Sequence, residues 1–173
     1  MEQKAVVRVA RAEEKEIVRN ILEKHLYEMA LFDGRKLGFL GLYGYPDLDS
    51  FFGEKNRYAF LIYIGDALAG FALVGDQPQV FPDAKYTLRE FFLLPVYRRK
   101  GFGAQALAHL FDIFPGVWEI ISHPKNTAAN AFFEKEIRDY TESEATHLDM
   151  CGAVQYPDGT YGEGWCFSTF PVI

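Results

Sequence analysis

The chain has 173 residues, 49% of them hydrophobic, with 16 Phe, 10 Tyr and a formal net charge of -6 at pH 7. That length and composition fit a single α/β domain over 1-173, which can bury about 70% of its unfolded surface without a metal or disulfide staple, and they exclude low-complexity disorder. The acidic balance excludes a nucleic-acid partner: Arg98-Arg99-Lys100 is the one basic cluster and suits a single small polyanion, not a polymer.

Val6 to Ala10 reads as a short strand. Ile17, Val18, Ile21, Leu22, Leu26 and Met29 then recur at three and four, with Glu14, Lys15, Arg19, Glu23 and Lys24 opposite, so the spacing predicts an amphipathic helix over about 12-30. From Leu31 to Asn56 the period is lost among Gly34, Gly38, Gly41, Gly44 and Pro46, leaving a long aromatic and acidic connection with one short helix near Leu48 to Phe52. Arg57 to Ile64 and Leu68 to Val74 form a hairpin across Gly65-Asp66, and Tyr86 to Leu94 adds a third strand that Pro95 ends. Ala104 to Phe114 presents Leu107, Leu110, Phe111 and Phe114 on one face, a helix ended by Pro115-Gly116. Val117 to Ser122 is a strand and Asn126 to about Lys135 a helix. Thr146 to Met150 and Trp165 to Phe170 close the chain as a hairpin around a Gly152-Gly164 loop.

No stretch approaches the roughly 20 apolar residues of a membrane helix, and the first residues lack the apolar core of a signal peptide. Cys151 and Cys166 stand in no metal-ligand spacing and read as small core residues. The expectation is a cytoplasmic protein with reduced thiols, no membrane contact and no metal.

The informative feature is the position of two glycines. A strand ends at Leu94, a turn carries Arg98-Arg99-Lys100, and Gly101-Phe102-Gly103 opens a helix. The first N–H groups of a helix lack internal acceptors and point outward with the positive end of its dipole, a geometry that binds phosphate. Glycines let a pyrophosphate approach those donors, and the basic side chains add charge-assisted contacts. The plain alternative is a basic turn whose glycines only relieve strain. A Walker loop is excluded because Gly-Lys-Ser/Thr is absent. A dinucleotide fingerprint, which Ala106 would complete, is disfavoured by the antiparallel meander before it and by the placing of Glu119 inside a strand.

Leu93 to Gly103 resembles the acetyl-CoA motif of the GNAT superfamily of N-acetyltransferases, Arg/Gln-x-x-Gly-x-Gly/Ala after a strand. Asn126 to Lys135 resembles its later Asn-x-x-Ala-x-x-Phe-Tyr-x-Lys motif, at the spacing that family shows. The resemblance implies a central, mostly antiparallel sheet of six or seven strands flanked by about four helices, with acetyl-CoA as co-substrate. It also implies a cofactor site. Backbone groups of Phe91 and Leu93 would meet the pantetheine, with the Leu93 N–H near the thioester oxygen. Arg98, Arg99, Lys100, Gly101, Phe102, Gly103 and Ala104 would hold the pyrophosphate. Asn126, otherwise a plain helix N-cap, would touch the pantetheine, and Phe133 would lie beside the sulfur. Phe133 stands where family members often carry a Tyr that protonates the departing thiolate. It cannot do so, although a thiol of pKa near 8.5 leaves tolerably without help. Tyr140 is a possible substitute acid.

The expected reaction is transfer of an acetyl group to a primary amine of a small molecule or peptide by direct attack in a ternary complex. The amine must lose a proton first, and Glu90, on the strand beside the thioester and flanked by Phe91 and Phe92, is the candidate catalytic base; its alternative is a structural carboxylate paired with Arg89 or another cation. His123 is the weaker candidate. The acceptor site is expected from the 31-56 segment, with Tyr27, Phe32, Tyr43, Tyr45, Asp47 and Asp49, together with the closing hairpin loop. Two other readings stay open: a coenzyme-A-binding sensor or interaction module with little catalysis, and an acyltransferase for a longer acyl group or a hydroxyl acceptor. A homodimer fits the family habit.

Overall fold

The computed structural model describes residues 3-142 and 145-170. Seven strands, β1 (Ala5–Val9), β2 (Tyr58–Ile64), β3 (Ala67–Gly75), β4 (Tyr86–Leu93), β5 (Val117–Ser122), β6 (Thr146–Gln155) and β7 (Tyr161–Ser168), form one sheet in the order β1-β2-β3-β4-β5-β7-β6. Among the described residues every neighbouring pair is antiparallel except β4 and β5. Four helices flank the sheet: α1 (Lys15–Asp33), α2 (Ser50–Gly53), α3 (Phe102–Ile113) and α4 (Thr127–Thr141). This is the expected α/β architecture, and no helix among the described residues is long and apolar enough to cross a membrane.

The two faces follow from strand alternation. Phe60 and Ile62 of β2 point to the α3 and α4 side, where they pack with Leu107, Leu110, Phe111 and Ile137. Ala59 and Leu61 point to the other side, against Val18, Ile21, Leu22 and Leu26 of α1 and Phe51 of α2. A strand covered on both faces needs no polar residue, hence the unbroken run Ala59-Phe60-Leu61-Ile62.

Three elements run past their expected limits. The phosphate-loop helix begins at Phe102, and the last helix continues to Thr141 because Ile137 is buried on its inner face. The closing hairpin is longer on both arms, so Gly162 and Gly164, read as loop, lie within β7. Their glycines serve close packing: a Cβ at Gly164 would meet Ile121 at 2.7 Å and Cys151 Sγ at 2.8 Å, and one at Gly162 would meet Ile121 at 2.7 Å. Both cysteines are free. Cys151 is buried, and burial pushes both thiols up.

At the start of α1 a charge clamp ties the helix to the edge strand. Arg8 of β1 donates to both carboxylate oxygens of Glu14 at 2.7 Å, and the Arg11 N–H donates at 2.8 Å. The Arg8 hydrogen bonds, followed by the Arg11 N–H, hold the Glu14 carboxyl at about 2 against an ordinary 4.5. A depressed folded-state pKa gives stability that is present above the unfolded value and lost as pH falls through the folded one. Thermal melts should therefore show stability declining as pH falls from about 4.5 to about 2, and Glu14→Gln should remove that part of the acid limb.

Candidate functional site

The sheet opens at one place. β4 and β5 pair only over Tyr86↔Trp118, Thr87↔Glu119 and Leu88↔Ile120. β5 then stays with β7 through Ser122↔Glu163, and β4 stays with β3 through Leu93↔Gly70. The division coincides with a β-bulge: Leu73 faces Glu90 while Val74 faces Leu88, which leaves Arg89 as the extra residue and bends β4 away. Leu94 donates its N–H to Ala69 of the β3 side at 2.8 Å, so by ladder alternation the peptide groups of Leu93 and Phe91 face the opening. An exposed row of strand donors and acceptors is what an extended, amide-bearing chain can pair with.

Directly beyond the opening lies the glycine loop expected to hold a phosphate. Pro95–Tyr97 makes one 3-10 turn, Arg99 adopts φ 61° and Gly101 φ 80°, and α3 begins at Phe102. Two left-handed residues separated by one turn the successive N–H groups toward a common side, an anion-binding nest continued by the free N–H groups of the helix start. The first loop N–H with an acceptor after Arg98 is that of Gln105, which donates to Gly101 at 3.1 Å. Gly103 sits where a Cβ would come within 3.0 Å of the Phe132 ring, so α3 and α4 approach closely beside the loop. Arg99 and Lys100 are exposed; Lys100 Nζ donates to the Val96 carbonyl at 2.9 Å.

Arg98 is placed differently from its neighbours. Its guanidinium donates to the Leu93 carbonyl at 2.7 Å and to Glu28 of α1 at 2.9 and 3.0 Å, and it lies 5.2 Å from the Phe92 ring centroid. The side chain thus fastens the loop to α1 and β4 and is not aimed at the nest, and one of the two Leu93 groups expected to meet pantetheine is already occupied. Asn126 caps α4, its Oδ1 accepting the Ala129 N–H at 3.3 Å. Phe133 is buried among Phe91, Phe132 and Trp165, with ring centroids at 6.4, 5.5 and 6.4 Å. That wall is wholly apolar. Tyr140 donates to Asp112 at 2.5 Å, and burial with that carboxylate raises it to about 12. Tyr140 stands seven residues along α4 from Phe133, roughly 10 Å, with its hydroxyl held by Asp112.

On the α1 face of β4 the Glu90 carboxylate lies in hydrogen-bond contact with His25 Nε2 at 2.8 Å, both side chains being mostly buried. His25 packs against Phe71 and Phe92. Tyr45 and Tyr156 converge on the same carboxylate: burial foremost, then the charge of Glu90, pushes both phenols far up. Beside them the fully buried Asp33 holds Arg35 through several hydrogen bonds, which keep the guanidinium above its usual pKa although burial works against it. His123 is sealed from solvent between Phe32 and Tyr156, accepting the Lys125 N–H at Nδ1 and facing Asp158 through Nε2 at 3.3 Å. A ring accepting at Nδ1 carries its proton on Nε2 and is spent on positioning the hairpin loop.

Of the acceptor residues expected around the 31-56 segment, Tyr45 reaches Glu90, Phe32 lies against His123, Asp47 comes within 4.0 Å of Arg89, and Tyr27 and Tyr43 line a cleft with Phe92 and Leu94. Tyr27 is exposed, Asp49 pairs with Lys15 at 2.6 Å, Asp47 pairs with Arg57 at 2.8 Å, and the Tyr43 N–H is held by Glu23. His25 escaped the sequence reading although the signal was there: it falls four residues after Ile21 and three after Leu22, on the buried stripe of α1. Tyr156 and Arg35 gave no periodic signal, since both belong to irregular backbone, whereas Asp33 closes the buried stripe of α1 four residues after Met29.

Comparison with known proteins agrees with this geometry. A model of the acetyltransferase (GNAT) family matches residues 29-137, more than half of the chain. No curated protein sequence matches it. Among solved structures, an acetyltransferase from Thermus thermophilus superposes with a TM-score of 0.67 at 16% identity, covering 95% of this chain and 97% of the other. The diaminobutyrate acetyltransferase of Paenibacillus lautus, solved with its substrate and coenzyme A, gives 0.63 at 16% identity over 99% of each chain. The ribosomal-protein-S18-alanine N-acetyltransferase of Escherichia coli gives 0.61 at 19%, covering 98% and 96%. At such identities the likeness is one of fold. Together with the split strand pair and its glycine nest, the family match means that this chain belongs to the acetyltransferase (GNAT) family.

Proposed function

We propose that the chain transfers the acetyl group of acetyl-CoA to a primary amine by direct attack within a ternary complex. The observation that carries the proposal is the placing of Glu90 and Leu93 on one strand beyond the bulge: a carboxylate on one face and a peptide group facing the strand opening three residues on. The pantetheine amides would pair with the exposed edge at Phe91 and Leu93, the pyrophosphate would rest on the N–H groups from Arg99 to Ala104, and the sulfur would lie against Phe133. Glu90, directly or through water, takes a proton from the alkylammonium acceptor, whose ordinary pKa is near 10. The free amine attacks the thioester carbon, and negative charge gathers on its oxygen, where the Leu93 N–H can donate. The C–S bond then breaks, the nitrogen releases its second proton to water to leave a neutral amide, and the thiolate leaves unprotonated and takes a proton from solvent. His25 orients the Glu90 carboxylate and gives the abstracted proton a route away from it.

Purified protein with acetyl-CoA and a panel of amines, followed by release of free thiol, tests this reading. Turnover on at least one amine supports it. Tight coenzyme A binding with no turnover on any amine would instead assign a coenzyme-A-binding module, the reading that Phe133 motivates. The nest has its own test. Gly101→Val forces a β-branched residue toward φ 80°, at a cost of roughly 1–2 kcal/mol, so coenzyme A affinity measured by calorimetry should fall about tenfold. An unchanged affinity would remove the nest from the site.

A further inference from the structure

The bulge that opens the sheet also puts Arg89 beside Glu90. At a bulge two successive residues face one partner residue, so strict alternation lapses and neighbouring side chains can share a side. Here Tyr45 feels both: the Glu90 charge raises its phenol pKa and the Arg89 charge opposes that rise. Arg89 is only 22% exposed, yet among the described residues the one carboxylate within ion-pair distance is Asp47, at 4.0 Å. That carboxylate is already held by Arg57 at 2.8 Å. No hydrogen bond from the Arg89 guanidinium occurs among the described residues. The other partly buried arginines differ sharply: Arg8, Arg35, Arg57 and Arg98 each meet a carboxylate at 2.7, 2.5, 2.8 and 2.9 Å. The Arg89 guanidinium is largely sheltered, still reached by solvent and without a close acceptor among those residues, and its planar fork matches a carboxylate.

We propose that Arg89 anchors a carboxylate of the acceptor, so that the acceptor is a small amine carrying a carboxylate in the same molecule. This rests on the acetyl-transfer reading above and adds the substrate class to it. Arg89 would hold the anionic end while the amine lies against Glu90 and the Tyr45 phenol. A carboxylate suits the site better than a phosphate, because Asp47 and Glu90 stand close by and would repel a doubly charged group. Arg89 takes no part in proton or acyl transfer. Its role is specificity.

Calorimetry on protein saturated with coenzyme A tests the assignment with matched pairs that differ only by the carboxylate: L-lysine against cadaverine, L-ornithine against putrescine, β-alanine against ethylamine. The carboxylate-bearing member of at least one pair should bind roughly tenfold or more tightly, the scale of a charge-assisted bidentate contact. Arg89→Gln should erase that preference while leaving affinity for coenzyme A and for the carboxylate-free member in place, and Arg89→Lys should keep part of it. Equal affinities within every pair, no binding of any carboxylate-bearing amine, or a preference that survives in Arg89→Gln would each overturn the proposal. So would an Arg89→Gln variant that weakens both members alike, the mark of a structural residue. All four leave coenzyme A binding intact, which separates them from a failure of the acetyl-transfer reading, where coenzyme A itself would not bind or no amine would release thiol.

Discussion

Glu90→Gln should lower kcat for amine acetylation by roughly 10²–10⁴-fold, the range for a positioned general base, with coenzyme A affinity unchanged. The amide is nearly isosteric and can still hydrogen-bond His25, which lies 2.8 Å from the carboxylate, so the site's shape should persist while its ability to accept a proton is lost. The measurement is initial-rate thiol release, with calorimetry on coenzyme A as the control. A variant that keeps the parental rate would place the base elsewhere and return Glu90 to the structural role that the sequence left open. His25→Ala should show a smaller loss, because it removes the orienting partner and leaves the carboxylate.

Glu119→Ala should destabilise the fold by about 3–5 kcal/mol, the cost of leaving several neutral donors without their acceptor. Glu119 is wholly buried on β5, and its oxygens gather four donors: the N–H groups of Gln79, Val80 and Phe81 at 2.5, 3.1 and 2.9 Å, and the Thr87 hydroxyl at 2.9 Å. Truncation leaves three backbone donors and a hydroxyl short of an acceptor in the interior, and the connection before β4 loses its tether. The location carries a functional consequence. Glu119 faces Thr87 in the register, one pair before β4 and β5 part. Loosening that joint should weaken coenzyme A binding as well as stability. Urea unfolding measures the first and calorimetry the second. Glu119→Gln keeps one acceptor oxygen and should fall between; a Glu119→Ala protein as stable as the parent would show that the donors find water instead.

The order of elements, the α/β class and the glycine turn that opens α3 were legible in the sequence because each rests on local chemistry. The three-and-four spacing from Val18 to Leu26 fixes a face of α1, the alternation in Ala59 to Ile62 serves two covered faces, and Gly101 lies where the strand-to-helix turn needs a positive φ. His25 belongs to the same group, since the period that buries Ile21 and Leu22 also carries it inward. The ends of the closing hairpin were less legible. Gly162 and Gly164 read as loop by composition, and only the contact with Ile121 across the sheet explains why they are strand.

What the tertiary structure alone decided is which charges meet. In the sequence Arg98, Arg99 and Lys100 are one basic run, but the fold assigns Arg98 to Glu28, seventy residues away, and leaves its neighbours exposed. Asp47 and Asp49 are equivalent in composition, yet Asp47 meets Arg57 and Asp49 meets Lys15. Tyr156 reaches the surroundings of Glu90 from a turn that no period describes. Periodicity determines which face of an element is apolar, because burial acts on every residue of that face alike. Pairing between distant polar groups depends on how the loops close and where the sheet splits, and a lone residue in irregular backbone carries no local mark of its partner.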